Sequence, residues 1–313
     1  MTASPSQPLR GIGLKILSVA LFMAMATCVK SSAAMGVPAG QAMFFRSFFA
    51  IPVILVWLVT QHNLAHGLET AHPMGHVWRG LVGGTAMALG FTALGLLPLP
   101  EVTAIGYAAP ILIVIFAAMF LGEQVRVFRL SAVAVGLLGV LIILAPRFSV
   151  LQSETVSSLE TLGAMAALMG AVFMALAQVF VRKLVTTETT AAIVFYFSVT
   201  TTILSLFTIP FGWVWPVWGA LGLLVLSGLL GGVAQILLTS SYRYAPTSVI
   251  APFEYSSIVM ALAVGYLLFD EVPTSQVVLG AGLIVAAGLF IIWREQKLGL
   301  ERSKARRAVT PQG

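Results

Sequence analysis

The chain contains two copies of one apolar pattern. Residues 80–123 align with residues 228–271 without a gap, at an offset of 148 positions. The similarity continues upstream between residues 20–26 and 171–177 at an offset of 151, and downstream between Gly139 and Gly288 at an offset of 149. Each copy is long enough for about five membrane helices. Two related apolar halves of this kind are typical of membrane transporters, which place the substrate site between the halves.

The composition indicates that these copies face lipid. Hydrophobic residues make up 59% of the chain and charged residues only 9%, whereas an average soluble domain is roughly 25% charged. A bilayer core requires about 20 apolar residues per helix. We therefore predict an all-α integral membrane protein with ten transmembrane helices, arranged as two inverted five-helix repeats. The ten runs are 11–30, 39–60, 77–97, 100–121, 127–145, 158–182, 189–210, 215–240, 246–268 and 275–293.

These runs predict three parts of the chain: a first repeat at 11–145, a second repeat at 158–293 and a basic tail at 294–313. The first run follows Arg10 and precedes the small residues 32–34, which also fits a cleaved signal peptide. Its similarity to residues 162–182 favours a retained helix. The single cysteine, Cys28, excludes an intrachain disulfide.

Positive charges predict the orientation of the chain. With the N-terminus in the cytoplasm, 14 of the 17 Lys and Arg residues fall on the cytoplasmic side, Lys30 and Arg147 fall on the opposite side, and Arg46 lies within a run. Both termini are thus predicted to be cytoplasmic. The net charge of +6 reflects this bias and the tail, which we expect to contact anionic lipid headgroups. It does not indicate a nucleic-acid partner.

Several short stretches resemble those of the drug/metabolite transporter superfamily, and more narrowly of paired EamA domains. The resemblance covers roughly residues 10–295 and extends to a bacterial group that contains riboflavin importers. It implies a transporter of small organic solutes without a cofactor. The stretches are 44–49 (FFRSFF), 121–123 (LGE), 251–255 (APFEY) and 270–273 (DEVP).

Glu254 is the first candidate for substrate binding or coupling. It lies about eight residues into the ninth run, roughly 12 Å deep at 1.5 Å per residue. A carboxyl group at that depth is costly unless it faces a cavity or a partner, so it indicates a functional role such as proton coupling. The alternative is a protonated side chain hydrogen-bonded across a helix interface. Its equivalent in the first repeat is Gly106, which carries no acid.

Arg46 is the second candidate, because it lies about seven residues into the second run. It could clamp an anionic or carbonyl group of a substrate, or pair with Glu254. The alternative is a side chain that extends to the headgroups of the outer leaflet.

Three further side chains are candidates for contacts with a planar solute. Tyr107 and Tyr255 are equivalent positions of the two repeats, so both are expected at the central cavity. Each hydroxyl could equally bond to a neighbouring helix. Gln235 lies inside the eighth run, where an amide either joins helices or contacts a ligand.

Other polar and small residues favour structural roles. The pairs Gly80/Gly84 and Gly228/Gly232 each form a GxxxG motif, which we expect to pack inside the bundle, although a homodimer remains an alternative partner. Glu271 is expected to pair with Lys30 or Arg147. The four histidines lie between residues 62 and 76, in what we interpret as a solvated loop without a metal.

The sequence therefore predicts a secondary transporter, with riboflavin uptake as the first hypothesis. Export of amino acids or other metabolites and uptake of S-adenosylmethionine are alternatives, and a non-transporting membrane scaffold is an alternative of another class. The chain has no GxxxxGK[ST] phosphate loop, no HExxH and no GxSxG motif, so these enzyme classes have no support.

Overall fold

The computed structural model describes residues 8–61, 66–121, 131, 134–136, 138–143, 145, 158–244, 253–254 and 256–309. Throughout these residues the regular structure is helical. The first half contains α1 (Pro8–Ala34), α2 (Ala39–Phe48), α3 (Ala50–Thr60), α4 (Pro73–Leu96), α5 (Leu99–Gly106), α6 (Ala108–Leu121) and α7 (Ala134–Ile143).

The second half contains α8 (Ser158–Leu184), α9 (Thr190–Leu206), a 3₁₀ turn (Ile209–Phe211), α10 (Trp218–Tyr244), α11 (Ser256–Phe269) and α12 (Ser275–Val309). Five helical segments are long and apolar enough to cross a membrane: Leu9–Ala34, Ala39–Thr60, Pro73–Leu96, Leu159–Val181 and Trp218–Ser241. Four apolar helices are shorter: Ala134–Ile143, Thr190–Leu206, Ser256–Phe269 and Ser275–Phe290. The predicted tail at 294–313 continues α12 as far as Val309.

Two of the predicted runs are interrupted. The run at 39–60 is divided at Phe49, and the run at 100–121 is divided at Tyr107. Pro52 and Pro110 explain these positions, because a proline ring clashes with the carbonyl four residues earlier. Those carbonyls belong to Phe48 and Gly106, the last residues of α2 and α5. Each break is a single residue that keeps right-handed helical backbone angles, and the run at 39–60 still forms one membrane-length segment.

The two halves pack against each other through equivalent pairs of helices. Helix α1 contacts α10, and the equivalent helices α8 and α4 contact each other in the same way. Likewise α4 contacts α9 while α10 contacts α2 and α3, and α5 contacts α8 while α11 contacts α1. Where α7 meets α12, a Cβ added at Gly280 would lie 2.5 Å from the carbonyl oxygen of Gly139. The internal repeat is thus visible as a repeated set of helix contacts.

The two GxxxG motifs pack inside the chain, as predicted. A Cβ added at Gly80 would lie 2.5 Å from Cγ2 of Thr200 on α9. At Gly228 it would lie 2.5 Å from Cβ of Phe49 and 2.7 Å from the carbonyl oxygen of Phe45. Small residues let helix backbones approach closely, and here they bring α4 against α9 and α10 against α2.

This packing predicts that Gly228→Ala destabilises the protein. The new methyl group would meet backbone and Cβ atoms that cannot rotate away, and overpacking of this kind costs about 1–3 kcal/mol. Gly222→Ala on the same helix is the matched control, because a Cβ there has nothing within 4 Å. Thermal unfolding of the detergent-purified variants should show a lower midpoint for Gly228→Ala only. Equal midpoints would contradict the close contact.

Candidate functional site

The break between α5 and α6 lies against the start of α11. The Tyr107 side chain is buried, with 4% of the residue exposed. Its hydroxyl lies 2.5 Å from Oγ of Ser257 and 3.4 Å from the carbonyl oxygen of Glu254. Ser257 donates to the same carbonyl at 2.8 Å. With Ser257 donating to this carbonyl, the Tyr107 hydroxyl donates to Oγ of Ser257 at the point where α11 begins. This corresponds to the alternative predicted for Tyr107, a bond to a neighbouring helix.

Glu254 forms an ion pair with Lys15 of α1. The Lys15 Nζ and Glu254 Oε2 atoms are 3.5 Å apart. The lysine side chain is 2% exposed, whereas the glutamate side chain is 45% exposed. Lys15 was counted with the cytoplasmic residues in the charge balance, but its amine is buried inside the bundle. The glutamate end of the pair is therefore accessible, whereas the lysine end is buried.

A second ion pair joins α1 to the other end of α11. The Lys30 Nζ and Glu271 Oε1 atoms are 2.8 Å apart, and both side chains are at most 15% exposed. Lys30 also donates to the Leu97 carbonyl at 2.7 Å, and Glu271 accepts from the Leu99 N–H at 2.8 Å. Of the two predicted partners of Glu271, Lys30 is confirmed and Arg147 lies outside the described residues.

The two lysines bracket the contact between α1 and α11. They are fifteen residues apart on one helix, which corresponds to about 22 Å along its axis. Their partners, Glu254 and Glu271, precede and follow α11. One helix of the first repeat is thus tied by charge to both ends of a helix of the second repeat.

Arg46 points into the bundle. The residue is 3% exposed, and its Cζ lies 5.4 Å from the centre of the Phe197 ring on α9. Its Nε and Nη1 atoms have no hydrogen-bond partner among the described residues. This burial contradicts a side chain that extends to the headgroups. The predicted pair with Glu254 is not formed, since that carboxylate contacts Lys15.

Arg79 is a buried basic residue that the sequence analysis missed. It is 7% exposed, and its Cζ lies 3.9 Å from the centre of the same Phe197 ring. The predicted third run began at residue 77, and Arg79 was counted with the cytoplasmic residues. Helix α4 starts at Pro73 instead, so Arg79 is in its second turn. Gly83, one turn later on the same helix, leaves room for this side chain, because a Cβ there would collide with Nη1 of Arg79.

Two predicted site residues remain. Tyr255 lies outside the described residues. Gln235 is half-buried on α10, and its side chain makes no hydrogen bond within the described part of the chain.

The histidines do not form one solvated loop. His66 is exposed and bonds to Glu69, but His76 is 2% exposed on α4 and its Nε2 lies 3.5 Å from Oε2 of Glu188. Burial of Glu188 would raise its pKa, but Thr70 and two backbone N–H groups donate to this carboxylate, and the net effect is a lowered pKa. Within the described ranges no group of three His, Cys, Asp or Glu residues is placed to hold a metal ion.

The family model and the named relatives that match this chain are all transporters. The EamA-like transporter family matches residues 10–145 and 161–293. A pseudopaline exporter of Pseudomonas aeruginosa is 32% identical, over 88% of this chain and 94% of its own length. An S-adenosylmethionine uptake transporter of Rickettsia bellii is 27% identical (82% and 84%), and a riboflavin transporter of Rhizobium johnstonii is 28% identical (83% and 83%). One solved crystal structure, 22% identical, shares the fold with a TM-score of 0.63 over 90% of this chain and 95% of its own.

Proposed function

Because this chain belongs to the EamA-like transporter family, we propose that it is a secondary transporter that moves a small organic metabolite across the bacterial inner membrane. The observation that carries this proposal is that two ion pairs join α1 to the two ends of α11. We propose that the ten apolar runs form two inverted five-helix repeats, with both termini in the cytoplasm. The positive charge bias and the repeated helix contacts support this arrangement.

The mechanism we propose is alternating access around the break at Tyr107. Transporters of this architecture rock one repeat against the other around a fixed site at broken helices. Opening on one side would separate Lys15 from Glu254, and opening on the other would separate Lys30 from Glu271. Glu254 is the residue that responds to substrate or protons, because its carboxylate is 45% exposed. Glu271 is more deeply buried and serves as the structural partner of Lys30.

Riboflavin uptake is the substrate hypothesis to test first. It is supported by the sequence resemblance and by one relative named as a riboflavin transporter. Other relatives are named for S-adenosylmethionine uptake and for pseudopaline export, so both direction and substrate are open to experiment. Riboflavin is uncharged, and the assay therefore also separates an uncharged substrate from an acidic one.

We expect cells that cannot synthesise riboflavin to take up labelled riboflavin when they express this chain. Uptake should saturate and should be blocked by excess unlabelled riboflavin, and cells without the chain are the control. No uptake by cells with confirmed membrane expression would exclude riboflavin. Export of amino acids and other metabolites from loaded vesicles would then be measured. The absence of any saturable flux would favour the hypothesis of a non-transporting membrane scaffold.

A further inference from the structure

We propose that Arg46 and Arg79, which approach Phe197 from two helices, form a binding site for the oxyanion group of a small solute with an apolar or aromatic body. The oxyanion is a carboxylate or a phosphate. This inference rests on the proposed transport function. It assigns that function an anionic solute in place of uncharged riboflavin, so riboflavin uptake by the chain would count against the inference while supporting transport.

The two guanidinium groups share one aromatic ring. Their Cζ atoms lie 5.4 Å and 3.9 Å from the centre of the Phe197 ring, so no more than about 9 Å separates them. The residues are 3% and 7% exposed. The Nε and Nη1 atoms of each arginine lack a hydrogen-bond partner in the described ranges.

This arrangement leaves two positive charges uncompensated. The carboxylates with ion pairs among the described residues belong to Glu254, Glu271, Glu69 and Glu188, and none of these pairs includes an arginine. Charged groups inside a membrane protein pair with one another or mark a substrate path. Two arginine forks are well suited to a carboxylate or phosphate, because guanidinium groups bind these anions with two parallel hydrogen bonds.

The surroundings favour a solute over a lipid headgroup. Helices α2, α4 and α9 all contact one another, so the two arginines lie inside a three-helix junction and not on the lipid face. Phe197 belongs to an apolar cluster with Met43 and Met87, and flexible methionines adapt to ligands of different shapes. The site thus combines an anion-binding end with an adaptable apolar wall.

Binding to the detergent-purified protein tests this site without any transport assay. Isothermal titration would compare benzoate and phenyl phosphate with benzyl alcohol and benzylammonium, which carry the same ring. We expect the two anions to bind, and benzoate affinity to fall at least tenfold in Arg46→Gln and in Arg79→Gln. Arg10→Gln is the control, because Arg10 is exposed at the start of α1, and it should bind as the wild type does. Equal binding of the neutral and anionic probes, or wild-type affinity in both variants, would overturn the proposal.

Two further measurements test the site even if Arg46→Gln and Arg79→Gln fail to fold. Gly83→Ala keeps both charges but places a methyl group where Nη1 of Arg79 now lies, so it should weaken benzoate binding. On the wild type, benzoate but not benzyl alcohol should protect Arg46 and Arg79 from phenylglyoxal, as mapped by mass spectrometry. Protection by dihexanoyl phosphatidylglycerol but not by benzoate would assign the site to lipid and overturn the proposal. Anion binding without saturable flux in vesicles would instead reject the transport function and retain the site.

Discussion

Glu254→Gln is expected to lower the initial rate of transport by about 10- to 100-fold, which corresponds to the loss of about 1.5–3 kcal/mol from one charged hydrogen-bonding contact. The substitution removes the negative partner of Lys15, whose side chain is 2% exposed. It keeps the shape of the side chain and leaves the Glu254 carbonyl free to accept from Ser257. Initial uptake or efflux in reconstituted vesicles measures the effect.

The expected loss of stability is smaller than the loss of transport. The Glu254 carboxylate is 45% exposed and lies 3.5 Å from the Lys15 amine. The Glu271 carboxylate is 15% exposed and lies 2.8 Å from its partner. The Glu254 pair is thus longer and better screened by solvent, so the unfolding midpoint should fall less in Glu254→Gln than in Glu271→Gln. Glu69→Gln is the control, because this carboxylate also has an ion-pair partner but is exposed at 69% of its side chain. A wild-type rate in Glu254→Gln would remove this residue from the mechanism. In a double-mutant cycle with Lys15→Gln, a coupling energy of zero would show that the two side chains affect transport independently. Their ion pair would then have no role in transport.

Features that depend on local sequence were predictable. The GxxxG motifs confirm this point, because a glycine that repeats in both halves has a packing role irrespective of the exact helix boundaries. The contact of Glu271 with Lys30 was also predictable, since both lie at helix ends on the same predicted side of the membrane. The helix breaks at Phe49 and Tyr107 were readable from Pro52 and Pro110, although apolar length alone concealed them.

Features that depend on which way a side chain turns were not predictable. Lys15 and Arg79 lie near the ends of apolar runs, where a count of positive charges assigns a residue to the cytoplasm. Whether such a side chain reaches water or turns into the bundle depends on its neighbours across the helix interface. For Arg79 this neighbour is Phe197, which belongs to α9. Only the tertiary structure brings them together.

Glu271→Gln is expected to lower the free energy of unfolding strongly. Removing one partner of a buried ion pair costs about 3–5 kcal/mol, because the other charge is left buried and unpaired. Here the unpaired group would be Lys30, whose side chain is 13% exposed. The Leu97 carbonyl would still accept from this amine, so the lower end of that range is expected. Glutamine can also still accept from the Leu99 N–H, which isolates the effect of charge.

Asp270→Asn provides the matched control for this prediction. Asp270 is the neighbouring acid but is exposed, and its backbone φ of +52° lies in the left-handed region that asparagine also tolerates. Thermal unfolding in detergent should therefore show a clear fall for Glu271→Gln and little change for Asp270→Asn. Adding Lys30→Met to Glu271→Gln should restore part of the midpoint, because the unpaired charge is then removed. Equal midpoints for the two single variants would show that the Lys30 pair is not a main support of α11, and the proposed closure on that side would have to come from other contacts.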